Sequence, residues 1–204
     1  MKMSKKESYI ETWFKIIISE EFPEINDELL ENYSNIKEKI FSENQNASKE
    51  LMMHLESQIV PAIAMYQTLI LHMEEEKLYN LIHEIVHTHA IEKRKSFEKI
   101  LKIPFMYSLV PTIFRKVANK SFNENAGFKK KEISVSKKIW RIDMIKCPYK
   151  DFMTKYNCPN LCQCFCDSDD TVYEGLHKNL IWERTKTLGR GNDCCDFCIK
   201  LKNN

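Results

Sequence analysis

Ile139-Trp140-Arg141-Ile142-Asp143-Met144-Ile145-Lys146 carries the clearest period in the chain. Its side chains alternate: Trp140, Ile142 and Met144 take one face, and Ile139, Arg141, Asp143 and Ile145 the other. A period of two predicts a strand, one side buried and one wet, over Lys138 to Lys146. Glu132 to Val135 precedes it as a second strand. Further on, Leu180 to Leu188 and Cys195 to Leu201 read as two more, joined through Gly189 and Gly191 and therefore paired antiparallel. Between the pairs, Tyr149 to Tyr173 reads as one or two helices broken near Pro159.

Upstream the rhythm is different. No glycine precedes Gly127, and apolar residues recur every three or four positions. Ser8 to Glu21 carries Ile10, Phe14, Ile17 and Ile18, and Pro23 ends it. Asn26 or Asp27 is placed to cap a second helix with Leu29, Leu30, Tyr33, Ile36 and Ile40. Glu43 to Ala47 reads as a loop, and Ser48 as the cap of a third helix. That helix bears the stripe Leu55, Ile59, Ile63, Tyr66 and Ile70, with a kink expected at Pro61. Leu78, Leu81, Ile82, Ile85 and Val86 mark a fourth, continuing or restarting into Glu92 to Lys102. Pro104 opens a further helix holding Phe105, Leu109, Ile113 and Val117, with Pro111 an irregularity in it. Asn125-Ala126-Gly127 marks the change of regime. The chain is expected to be α+β: a helical part, 1–126, packed on a cysteine-rich part, 127–204, as one integrated folded unit with a mostly antiparallel sheet of about four strands and a crossing helix.

Composition narrows the function. With 31 basic and 29 acidic residues the formal charge is +2, too balanced for a nucleic-acid partner. Lys129-Lys130-Lys131 reads as a turn or strand edge. Met1 to Glu7 is polar and Ile16-Ile17-Ile18 is short for a leader, and no run reaches the ~18 apolar residues of a membrane span. A cytoplasmic location is expected. There, all eight cysteines, clustered between Cys147 and Cys198, are reduced and read as catalytic, metal-binding or buried. Cys158, Cys162 and Cys166 are spaced by four, one helix face, while only Cys195 and Cys198 have a knuckle spacing. No resident cofactor is expected; zinc or iron on the cysteine cluster is the alternative.

His83-Glu84-Ile85-Val86-His87 matches the zinc-peptidase pattern. Its histidines fall opposite the apolar stripe of their helix, and no Gly-x-x-His follows, so this is the weakest reading. A thiol near Arg184 would have its thiolate favoured. Asp196, Asp167, Asp169 and Asp170 offer acid–base groups. Arg184 offers a fork for a substrate carboxylate, or an ion pair to Asp196 that only braces the sheet. Alternation lets either Cys195 or Asp196, not both, share Arg184's face.

Several stretches together resemble the L-2-amino-thiazoline-4-carboxylic acid hydrolase family. They are His54 to Leu69, with Leu55, Ile59, Pro61-Ala62, Ala64 and Tyr66; Ile103-Pro104-Phe105; Cys147-x-Tyr149; and Tyr156-x-Cys158-Pro159-x-Leu161-Cys162. Phe165-Cys166 before acidic residues, Arg184-Thr185-x-Thr187-Leu188 and Gly191-x-x-x-Cys195-Asp196-Phe197 complete them. Asn160 departs from the family's usual glutamate and Cys198 from a frequent histidine or arginine; Cys164 and Cys194 look like additions. The resemblance implies a hydrolase that opens a small cyclic amidine carrying a carboxylate, giving N-carbamoyl-L-cysteine in the named reaction. It implies Cys195, Asp196, Cys166 and Asp170 as catalytic candidates, Cys195 first. Arg184, Thr185, Thr187, Cys147, Tyr149, Cys162, His54 and Tyr66 are then the substrate-binding candidates. A small molecule is the expected partner; membrane and nucleic acid are not, and the oligomeric state stays open. The alternative is a non-catalytic small-molecule or metal-binding module with a cysteine-lined pocket.

Overall fold

The computed structural model describes residues 7–202; most of the polar opening, Met1 to Lys6, lies outside the described residues. Helix α1 (Tyr9–Glu21) starts where Ser8 Oγ accepts the Ile10 N–H. Helix α2 (Asn26–Glu43) starts differently from expectation. Neither Asn26 nor Asp27 caps it, because the 3-10 turn Pro23–Ile25 runs straight into it. Helix α3 (Lys49–His54) is capped by Ser48, whose Oγ accepts from Leu51 N at 3.0 Å. It passes through a π turn, Leu55–Ile59, into α4 (Val60–Leu69). The irregularity expected at Pro61 therefore lies one turn earlier: the wider turn accommodates a residue that has no N–H to give.

Helix α5 (Glu75–Leu101) is one continuous rod of 27 residues. Helix α6 (Val110–Ser121) begins later than expected. Ile103 to Phe105 form a turn, with Phe105 left-handed at φ 63°, and Met106–Leu109 a 3-10 turn. Pro111 then falls in the first turn of α6, where an N–H would go unused anyway, so it disrupts nothing.

The strands are β1 (Lys129–Val135), β2 (Ile139–Lys146), β3 (Leu180–Glu183) and β4 (Cys195–Leu201), with α7 (Pro148–Lys155) and α8 (Leu161–Tyr173) between β2 and β3. They form one antiparallel sheet in the order β1-β2-β4-β3. The fold is α+β as expected. β1 is an edge strand, which accounts for its three lysines; Lys130 Nζ donates to the carbonyls of Ala118 and Phe122 at the end of α6. β3 is shorter than its alternation suggests and ends at Glu183. The Asp196 carboxylate accepts the N–H groups of Thr185 and Lys186 at 2.8 and 2.6 Å and the Thr185 hydroxyl at 2.7 Å, which draws the chain out of the ladder.

Trp140 pairs with Ile199, Ile142 with Phe197 and Met144 with Cys195, so one sheet face carries all six. Helix α6 packs across β2 and β4, and α5 packs along α8. The buried core runs without a break from Ile10 and Phe14 through Leu55, Ile59 and Ile63 to Ile142 and Ile199. Among the described residues no helix is long and apolar enough to cross a membrane.

Candidate functional site

Two family stretches, Phe165-Cys166 with the acids after it and Cys195-Asp196-Phe197, converge on the third, that of Arg184. Its side chain is 1% exposed, just past the end of β3. Nη1 donates to Asp169 Oδ2 at 3.3 Å, and Nη2 donates to Asp170 Oδ2 and to the Cys166 carbonyl. The guanidinium lies 5.4 Å from the Phe197 ring centroid. Helix periodicity explains the assembly. Cys162, Cys166, Asp169 and Asp170 stand at i, i+4, i+7 and i+8 of α8, so two thiols and two carboxylates share one face.

Arg184 is on the Cys195 and Phe197 side of β4, not the Asp196 side. The bracing pair to Asp196 is therefore replaced by pairs to Asp169 and Asp170. With both terminal nitrogens engaged, Arg184 does not present the free fork expected for a substrate carboxylate. Its Nε is buried without a hydrogen-bond partner.

On one side of Arg184 lies a chain of thiols. Cys162 is hydrogen-bonded to Cys147 and Cys166, and Cys166 to Cys195. Cys195 Sγ also accepts the Leu188 N–H at 3.2 Å. Cys166 is the sulfur on which donors converge. The Cys162 and Cys195 thiols, the Gly189 N–H and the Arg184 charge overcome burial and push its thiol well below the ordinary range, whereas Cys147 and then Cys166 push Cys162 up, and Cys166 pushes Cys195 up. Arg184 therefore reaches Cys195 only through Cys166, and the thiolate is favoured at Cys166 rather than Cys195. The packing is tight enough to demand glycine at 189: a Cβ there would sit 2.9 Å from Cys166 Sγ and 3.3 Å from the α8 backbone. Among the described residues, no three or more His, Cys, Asp or Glu side chains are arranged to hold a metal ion.

On the other side lies a cavity of about 160 Å³. α5, α6, α8 and the sheet wall it with Phe97, Phe114, Trp140, Tyr173, Trp182 and Phe197, and Asp169 reaches into it. Burial pushes the Asp169 carboxyl up to about 7 against the opposing pull of Arg184. Its side chain remains 37% accessible and lines this cavity. Asp170 is held differently, by Arg184 and by the Trp182 indole N–H at 2.9 Å. Of the two neighbouring acids, both of which the sequence offered as acid–base groups, the cavity is lined not by Asp170 but by Asp169. Its i+7 spacing from Cys162 was the available signal.

The other candidates divide. Tyr149 is buried beside the thiols; its hydroxyl reaches His54 Nδ1 at 3.2 Å and Gln58 Oε1, while His54 Nε2 reaches the Ser121 carbonyl at 2.8 Å. His54 is a brace between α3 and the end of α6, and burial pulls its pKa down. Thr187 Oγ1 accepts the Arg190 N–H and turns the loop that carries Gly189. Thr185 and Asp196 hold that loop on β4; burial disfavours the Asp196 charge, but its hydrogen bonds from Thr185 and Lys186 keep the carboxyl below its usual range. Tyr66 lies elsewhere, donating to Glu75 at 2.9 Å in an open cleft of about 600 Å³ with Cys158 and Asn160. Cys158 precedes α8, so the helix face expected to hold three cysteines holds two. His83 is half-buried and His87 is exposed, and neither is among the buried residues of α5. They lie along the seam with α8, 3.4 Å from Asp167 Oδ2 and 3.0 Å from Thr171 Oγ1.

The family model of L-2-amino-thiazoline-4-carboxylic acid hydrolases matches residues 52–199. The chain belongs to that family. No curated protein and no solved structure matches it. The matched span takes in the thiol chain, Arg184 and the cavity. The departure from the family pattern at Asn160 falls in the separate cleft with Tyr66, away from all three.

Proposed function

We propose that the chain is a hydrolase that opens a small cyclic amidine in the aromatic cavity, with Asp169 as the acid–base group. One observation supports this above the others: a single carboxyl, pushed up to about 7, faces a cavity of about 160 Å³. For scale, a cavity of about 150 Å³ accepts benzene, so a five-membered ring with substituents is of suitable size. A carboxyl near neutrality can both take and return a proton at working pH. Water oxygen bonds to the carbon between nitrogen and sulfur while Asp169 takes one of its protons. Collapse of the adduct breaks the carbon–sulfur bond, and Asp169 returns its proton to the departing sulfur. The ring nitrogen, which gains the C=N electron pair on attack, takes the remaining hydroxyl proton as the carbonyl of the urea forms. Arg184 fixes Asp169 from behind.

A second reading is favoured by the donors around Cys166. In it the Cys166 thiolate attacks the same carbon, the ring sulfur leaves, and water then releases the product from the thiol. Incubation of the reduced protein with L-2-amino-thiazoline-4-carboxylate, with N-carbamoyl-L-cysteine followed by mass spectrometry, separates the two. Asp169→Asn is expected to lose about 10²–10⁴-fold in turnover, and Cys166→Ser less than tenfold. The reverse order moves the chemistry to Cys166. Absence of product from wild-type protein with this and related rings leaves the binding-module reading.

A further inference from the structure

The groups around Arg184 do not balance in charge. One guanidinium serves two carboxylates and a sulfur for which the thiolate is favoured. Asp170 is satisfied by Arg184 and Trp182, whereas the recorded hydrogen bond of Asp169 is the 3.3 Å contact to Arg184. Lys93 on α5 is the other cation that acts on Asp169, and it is exposed. Inside the cavity Asp169 is the only charged side chain of the lining among the described residues; no lysine, arginine or histidine is in the wall. The remaining wall is aromatic and aliphatic.

We infer that this cavity selects an organic cation with a small apolar body, an amidinium or ammonium on a ring, and disfavours any ligand that carries a carboxylate. An anion would meet Asp169 and find no counter-charge. A neutral apolar ring would cover the cavity side of Asp169, whose one contact is the 3.3 Å pair to Arg184, and offer that side no partner. A cation pairs with Asp169 and lies against aromatic faces, whose negative π clouds attract it. The rings are already clustered for this: Tyr173 lies 4.9 Å from Trp182 and 4.8 Å from Phe114 between centroids. The inference shares the cavity with the hydrolase reading but stands on this charge count. It parts from the family's named substrate at the carboxylate, because both terminal nitrogens of the arginine that would receive one are already engaged.

Calorimetric titration of the reduced full chain with benzamidine, benzamide and benzoate tests it, since these differ in charge and hardly in size. Benzamidine is expected to bind at least tenfold more tightly than benzamide, with benzoate weakest, and Asp169→Asn to erase the gap between the first two. The same titration with 2-amino-2-thiazoline and its 4-carboxylate is expected to favour the unsubstituted ring at least tenfold. Equal binding of benzamidine and benzamide by wild-type protein overturns the inference, as does tighter binding of the 4-carboxylate. Cations that bind without any being hydrolysed uphold it and count only against the hydrolase reading.

Discussion

The two sides of Arg184 are built from the same elements and differ in one respect, free space. β4 contributes Cys195 to one side and Phe197, two residues on, to the other. α8 contributes Cys166 to one and Asp169, three residues on, to the other. The thiol side holds the more reactive atoms, yet Cys162, Cys166 and Cys195 are buried, and no Cβ fits at Gly189. The aromatic side holds ordinary core residues and one acid, yet it is where a small molecule can enter. Reactive residue types therefore do not by themselves mark where a ligand goes. On the thiol side their hydrogen bonds fill the space a substrate would need. On the aromatic side flat rings stand apart and leave it.

Arg184 joins the two sides, so its loss should break the comparison outright. Arg184→Met removes the cation from two carboxylates and from Cys166 while keeping length and apolar stem. The expected cost is about 3–5 kcal/mol, the cost of leaving a buried charge unpaired. It should appear in urea denaturation together with loss of cavity binding. A variant of near wild-type stability would mean that Asp169 and Asp170 are held without it.

Gly189→Ala should strike the thiol side alone. The new methyl meets Cys166 Sγ and the α8 backbone, and overpacking of this kind costs about 1–3 kcal/mol. The melting temperature should fall while benzamidine affinity stays within about twofold, as an order-of-magnitude expectation from the independence of distant sites. Equal loss of both would show that the cavity depends on the thiol packing.

The smallest effect sharpens the aromatic side. The folded state holds the Asp169 proton more tightly than the unfolded chain does, because its pKa is raised from 3.8 to about 7. Its contribution to stability is therefore fully present below pH ~4 and is lost as pH rises through ~7. Arg184, Asp170, Cys166 and Lys93 are the charged or titrating groups that act on it. Between pH 5 and pH 8 the stability of wild-type protein relative to Asp169→Asn should fall. The change should be modest, because the carboxyl opens to the cavity. A relative stability that rises over this range would place the Asp169 pKa below its ordinary value.

Read alone, the sequence determined most of what local periodicity governs, α6 excepted: the stripe expected there, Phe105, Leu109, Ile113 and Val117, is exposed. Alternation in Ile139 to Lys146 gave a strand with Trp140, Ile142 and Met144 inward, because a pleated strand can bury only every second side chain. Stripes at three and four gave the helices and most of their core residues, and Ser8 and Ser48 gave two of their starts. The motifs gave the family. Tertiary structure alone decided where β3 ends, since that depends on a carboxylate eleven positions away in sequence from Thr185. It also decided that Arg184 belongs to Asp169 and Asp170 rather than Asp196, and that Cys166 rather than Cys195 gathers the donors. Neither was legible, because both follow from how α8 lies against β4, and no period along one strand encodes the angle of a helix packed on it. The cavity was the least legible of all. It is empty space left between Phe97, Phe114, Trp140 and Trp182 on different elements, and a sequence records side chains, not the gaps that packing leaves among them.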